Sequence, residues 1–195
     1  MKQIEVTTRV YNSLEEVDAI LTKENYQIIG KHRIEDEYLT QNLKMLTAEN
    51  ILDILKTAVL VRYVKEDEEE DKKITYKIKE YDGDKVISEE KINVKIDDID
   101  KAIKLFSKLN FEHLVSVKYD VIVYSNGKIE LASQNVEGLG LLLEYEHAKD
   151  FTGYSNEDIL KEKNKMLKQI KDIGLKISDD YDIKKAYELI KNKLT

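Results

Sequence analysis

The sequence predicts an α+β fold, an antiparallel sheet or barrel decorated by helices. Three observations predict it. Gln3, Glu5, Thr7 and Arg9 alternate with Ile4, Val6, Thr8 and Val10, and Leu142, Glu144 and Glu146 alternate with Leu141, Leu143 and Tyr145. The steps Asp82-Gly83-Asp84 and Ser125-Asn126-Gly127 join strand-like runs, as hairpin turns do. Other segments space their apolar residues at helical intervals. Side chains on a strand point to opposite faces in turn, so the two alternating segments each carry an apolar face and an ionisable face. If helices cover the apolar faces, the ionisable faces line an interior that can hold a charged ligand.

Taken in order, residues 2–11 read as a strand. Ser13 caps a helix, with Glu16 at the capping-box position and Leu14, Val17, Ile20 and Leu21 on one face. Residues 26–39 form one or two strands around Gly30. A helix over 47–57 is capped by Thr47 and lined by Ile51, Leu52 and Leu55. Strands follow at 58–65, 73–81 and 86–96, and the acidic run from Glu66 to Asp71 between the first two reads as a solvated loop. A helix fits 98–109, strands fit 114–124 and 128–134, and another strand at 140–147 follows Gly138-Leu139-Gly140. Ser155 caps a helix that Gly174 can end. Residues 180–194 form a last amphipathic helix, with Ile183, Ala186, Tyr187, Ile190 and Leu194 on its apolar side.

Composition narrows the function. The 195 residues fit one domain, or one domain with a helical appendage. A net charge of -7 argues against a nonspecific nucleic-acid coat, and the lack of cysteine excludes a disulfide framework and a thiolate metal site. No apolar run is long enough to span a bilayer, and the N-terminus has no signal-peptide core, so the expected location is the cytoplasm, with no membrane partner. His32, His113 and His147 have no metal-ligand spacing and read as surface or packing residues.

The face opposite the apolar one on each strand gathers Arg9, Arg62, Lys77, Lys79, Lys91, Lys95 and Lys118 against Glu5, Asp120, Glu144 and Glu146. Like charges buried together without partners are costly, and a polyanion would relieve them. Arg and Lys suit phosphate oxygens. The competing reading is an open sheet with these residues in solvent.

Several segments resemble, in order and spacing, the CYTH superfamily, the triphosphate tunnel enzymes that include class IV adenylate cyclases and thiamine or inorganic triphosphatases. Gln3-Ile4-Glu5-Val6-Thr7-Thr8-Arg9-Val10 resembles its ExExK start, Asp36-Glu37-Tyr38 its D-x-Y step, and Val59-Leu60-Val61-Arg62 its LRIR strand. Ile74-Thr75-Tyr76-Lys77 resembles its LTYK strand and Leu109-Asn110-Phe111 its LGF turn. Val136-Glu137-Gly138-Leu139-Gly140 with Leu143-Glu144-Tyr145-Glu146 resembles its VxGLG…EIE close.

The resemblance implies an antiparallel eight-stranded barrel flanked by helices, a tunnel domain over residues 1–175, and a C-terminal helix over 176–195 packed on it. It implies a nucleotide or polyphosphate-type ligand held by Arg9, Arg62, Lys77, Lys79, Lys91 and Lys118, and magnesium or manganese held by Glu5, Glu144 and Glu146. The sequence also departs from the pattern. Gln3, Asn93 and Gln134 stand where the family places acids, Thr7 and Leu60 stand where it places bases, Lys91 replaces an acid and Asp120 replaces an Arg. Two-metal chemistry needs enough carboxylate oxygens for hard cations, and several are missing. The expected function is therefore a tunnel protein that binds a nucleotide or other phosphate-rich anion, with weakened or lost metal-dependent catalysis. The alternatives are an active triphosphatase or adenylate cyclase, or a protein-interaction scaffold that uses the helix at 180–194.

Overall fold

The computed structural model describes residues 2–83, 85–147 and 149–194. Eight strands form one sheet: β1 (Glu5–Arg9), β2 (Gln27–Thr40), β3 (Val59–Glu66), β4 (Glu69–Asp82), β5 (Lys85–Lys95), β6 (Glu112–Ser125), β7 (Glu130–Val136) and β8 (Gly140–Glu146). The helices are α1 (Leu14–Lys23), α2 (Ile51–Lys56), α3 (Ile99–Lys108), α4 (Asn156–Asp172) and α5 (Lys185–Leu194). The spatial order is β1-β8-β7-β6-β2-β3-β4-β5, with every neighbouring pair antiparallel. The sheet curls until its edges touch. Gln3, just ahead of β1, and Glu89 of β5 exchange both backbone hydrogen bonds at 3.1 Å.

Helices cover parts of the outer face. α1 and α4 bury Val17, Leu21, Met166 and Ile170 against Ile4, Val6, Leu143 and Tyr145. That layer is why β1 and β8 read apolar outward and ionisable inward. α3 packs Ala102, Ile103 and Phe106 on Leu39, Val61 and Ile74. α2 and α5 lie at one mouth of the curled sheet and pack Ile51, Ile54, Ala186 and Ile190 with Val115, Val117 and Leu142. No described helix is long and apolar enough to cross a membrane.

Local signals account for most boundaries. Ser13 and Glu16 form a reciprocal capping box on α1, and Ser155 caps α4. Residues 26–39 resolve into a single long strand with a register shift between Ile28 and Gly30. Three expectations need correction. Thr47 caps nothing, because Asn50 Oδ1 accepts the Thr47 amide at 2.8 Å in a turn and α2 starts only at Ile51. The acidic run is no loop. β3 and β4 pair from Glu66 and Glu69 onward, and Asp67 takes the left-handed conformation that so tight a turn needs. The last helix begins at Lys185 rather than 180, since residues ahead of it lie extended beside β1. Of the expected Asp82-Gly83-Asp84 turn, Asp84 lies outside the described residues, while Asp82 and Lys85 flank it in register.

Candidate functional site

The curled sheet encloses a cavity of about 190 Å³. Its two walls differ. On β3, β4 and β5 the inward side chains include Arg62, Thr75, Lys77, Lys79 and Lys91. On β2 and β6 they include Ile34, Tyr38, Val117, Tyr119 and Val121. Leu52 and Leu55 of α2, with Ile183 just ahead of α5 and Lys185 and Tyr187 in its first turn, line the mouth. A basic wall thus faces an apolar and aromatic one.

The basic wall is organised by one carboxylate. Glu89, only 3 % exposed, lies 3.3 Å from Lys77, 3.1 Å from Lys79 and 3.3 Å from Lys91. Burial would raise its pKa, but the three ammonium groups hold it well below the usual carboxylate range. Burial pushes Lys77 down against the pull of Glu89, with Lys79 and Arg62 adding repulsion. Lys79 and Lys91 also lose solvation, yet Glu89 and Glu5 together carry both upward.

The acids gather beside this wall. Carboxylate oxygens of Glu5, Glu144 and Glu146 lie within 4.8 Å of one another. Burial, then Glu144 and Glu89, raise the Glu5 pKa against Lys77 and Lys79. Glu144 is desolvated too, but Lys185, with Lys91 and Gln134, takes its pKa down to about 2. Lys185 Nζ lies 3.1 Å from Glu144 Oε2 and also donates to Gln134 Oε1. Glu146 accepts from Gln3 Nε2 at 2.6 Å and pairs with Lys91 at 3.4 Å. Three hard oxygen donors, with Glu5 crowded by like charges, fit a divalent cation such as magnesium or manganese. They fit one ion, because the other buried acids of the wall, Glu89 and Asp36, are held by three lysines and by Arg62.

The structure brings Glu5, Arg62, Lys77, Lys79, Lys91 and Glu144 into one cavity, with Glu146 exposed beside it. It separates two residues expected there. Arg9 donates to the Leu139 carbonyl oxygen and does not line the cavity. Lys118 is on the outer face, paired with Glu35 at 3.0 Å in a network where Arg33 also binds Glu35, Asp120 and Glu137. The physical reason is that the apolar residues of β6 face inward, so their alternates face solvent. Asp120 leaves the tunnel for the same reason, and the basic surplus inside is smaller than the sequence suggested. His32, read as surface or packing, lines the cavity.

Sequence reasoning missed Glu89, Tyr119 and Lys185. Glu89 was detectable, since it is two residues from Lys91 on the same strand and so shares its face. Lys185 gave no signal, because only the docking of α5 brings it inside.

No protein-family model matches the chain. It is 38% identical over 100 residues to the Methanocaldococcus jannaschii protein named "Putative adenylate cyclase MJ0240", a match covering 50% of this chain and 53% of that one. The chain thus spans about half the length of this curated relative. The PH1819 protein of Pyrococcus horikoshii superposes over 97% of this chain and 99% of its own, with a TM-score of 0.73 and 20% identity. A structure described as a putative adenylate cyclase from Vibrio parahaemolyticus covers 97% of both chains, with a TM-score of 0.63 and 13% identity. The chain is thus similar in part to a protein named as a putative adenylate cyclase, and it shares the fold of these solved structures. The β1 and β8 segments singled out in the sequence put Glu5, Glu144 and Glu146 together at this cavity. The PH1012 protein of Pyrococcus horikoshii has the same fold at a TM-score of 0.67 and 23% identity, over 96% of this chain and 99% of its own.

Proposed function

We propose that this CYTH-like protein binds a nucleotide or other phosphate-rich anion in its tunnel, and that its metal-dependent turnover is weak or absent. The observation that carries the reading is the fan of Lys77, Lys79 and Lys91 around the single carboxylate of Glu89. Three ammonium groups converge on one point of the wall, and the oxygens of a phosphate group are suited to bridge them. Each such charge-assisted contact contributes about 1.5–3 kcal/mol.

Weak turnover follows from the acids. Glu5, Glu144 and Glu146 would hold one divalent ion, which when bound would neutralise charge on phosphoryl oxygens. A second ion needs further carboxylates, and at two positions where the family pattern has acids this chain has Gln3 and Gln134. Both bind neighbours as neutral amides, Gln3 to Glu146 and Gln134 to Lys185. The chain's own groups would then hold the anion and keep water out of the apolar side of the tunnel.

The second reading, an active triphosphatase or adenylate cyclase, is favoured by the close acid cluster and by the name of the Methanocaldococcus relative. Calorimetric titration with tripolyphosphate and with ATP, in chelator and then in magnesium or manganese, separates the two. Metal-free binding without release of phosphate, pyrophosphate or cyclic nucleotide is expected. Robust metal-dependent product release would promote the second reading, and no binding of either anion would remove both.

A further inference from the structure

The C-terminal segment carries Lys185 into the tunnel, and its ammonium takes the partners a metal ion would use. The segment ahead of α5 runs beside β1. Ser178 N donates to Arg9 O at 2.9 Å, Thr7 N to Tyr181 O at 3.0 Å, and Ile183 N to Thr7 O at 3.0 Å. Asp182 Oδ2 accepts the Val86 amide of β5 at 2.9 Å, so the segment is tied to both edges of the curled sheet. α5 starts immediately afterwards, and its first residue, Lys185, reaches inward to Glu144 and Gln134. Its ammonium also lies 4.8 Å from the centre of the Tyr119 ring.

A carboxylate oxygen, an amide oxygen and an aromatic face together make a cation seat. Lys is a compact point charge and suits it. Glu144 belongs at the same time to the cluster with Glu5 and Glu146, the only acid cluster of metal-binding geometry among the described residues. An ammonium and a divalent ion on one carboxylate repel each other at this range. The tether gives the ammonium a high effective concentration at Glu144, which a free ion must overcome.

We propose that Lys185 is a tethered cation that competes with a divalent metal ion for Glu144, so that a metal-loaded tunnel and a docked α5 exclude each other. The proposal rests on the reading of Glu5, Glu144 and Glu146 as the cation seat. It makes Lys185 a positioning residue that sets whether the tunnel works with or without metal.

The test is manganese alone, titrated into the full chain while the free ion is followed by electron paramagnetic resonance. Lys185→Gln and Lys185→Met should each bind manganese at least tenfold more tightly than the parent, and adding Glu144→Gln should abolish the gain. Circular dichroism melts establish that each variant is folded, and two different replacements guard against one that is not. Equal or weaker manganese binding in both variants would overturn the proposal, as would the absence of manganese binding from all of them. In the parent, manganese should speed hydrogen exchange at the Ser178 and Ile183 amides, and unchanged exchange at saturation would overturn the exclusion. Tripolyphosphate binding in chelator, measured on the same samples, reports separately on the lysine fan. Its failure removes the anion reading and leaves the manganese result standing.

Discussion

Asp36 grips Arg62 with both carboxylate oxygens, Oδ1 to Nε at 2.7 Å and Oδ2 to Nη2 at 2.6 Å. The two residues face each other in register on β2 and β3, and Asp36 is only 2 % exposed. This fork-to-fork geometry is the strong form of the pair. Burial would lower the Arg62 pKa, but Asp36 carries it well above its ordinary value. Arg62 therefore enters the tunnel with a carboxylate of its own, whereas Lys77, Lys79 and Lys91 on the same wall share Glu89. The D-x-Y and LRIR-like segments quoted from the sequence meet in this contact.

Breaking the pair should be costly, because a buried charge is left alone. Asp36→Ala is expected to lose about 3–5 kcal/mol, while replacing both residues by apolar side chains of similar volume should be nearly neutral. Urea unfolding of the two variants checks this. Equal losses would show that packing, and not the stranded guanidinium, sets the cost.

Glu89 is the internal counter-ion of the lysine fan, so its removal should act oppositely on folding and on binding. Glu89→Gln leaves Lys77, Lys79 and Lys91 to repel one another, and the empty protein should melt at a lower temperature. The same change raises the positive charge that meets a ligand. Tripolyphosphate should bind more tightly to the variant than to the parent, with a steeper loss as salt rises. Weaker binding would mean that Glu89 organises the site more than it competes with the anion.

Glu5 gives the empty tunnel a pH dependence. Its folded-state pKa is raised, by burial first and then by Glu144 and Glu89. A carboxyl raised on folding contributes full stability below its unfolded value near 4.5, and that contribution is lost as pH climbs through the folded value. Glu144 has the opposite sign. Burial opposes its ionisation, but Lys185 takes its pKa down to about 2, so its stabilisation is present above the unfolded value and lost as pH falls toward 2. Glu5→Gln should therefore stabilise the protein at pH 7 and leave it unchanged at pH 4, as thermal melts in chelator would record. A gain that persists at pH 4 would show that the charge of Glu5 is not the cause.

The inward stripe was legible on β1 and β8 because α1 and α4 cover the outer side of those strands, which forces apolar residues outward. The same rule misplaced Lys118 and Asp120. On the outer face Arg33 and Lys118 both pair with Glu35, and the tunnel takes Val117, Tyr119 and Val121 instead. Alternation says that two faces differ, and only packing says which one is inside. The C-terminus failed for another reason. The apolar spacing of Ile183, Ala186, Tyr187 and Ile190 is real, but backbone partners on β1 hold residues before Lys185 extended. Partners that far apart in the chain leave no trace in local sequence.

Asp182 is where that C-terminal segment meets the opposite edge of the sheet. Its Oδ2 accepts the Val86 amide at 2.9 Å and Lys184 Nζ at 2.7 Å. Lys163 of α4 is buried and donates to the Val86 carbonyl oxygen, so a single residue of β5 is held on both sides of its backbone. Asp182→Ala leaves the Val86 amide without its acceptor, a loss expected to cost about 1–3 kcal/mol. The change should open the seam locally. Hydrogen exchange should quicken at Val86 and at the Ile183 amide, while the α1 and α3 amides keep their protection. Uniform acceleration across the chain would instead mean that the seam and the rest of the fold open as one unit.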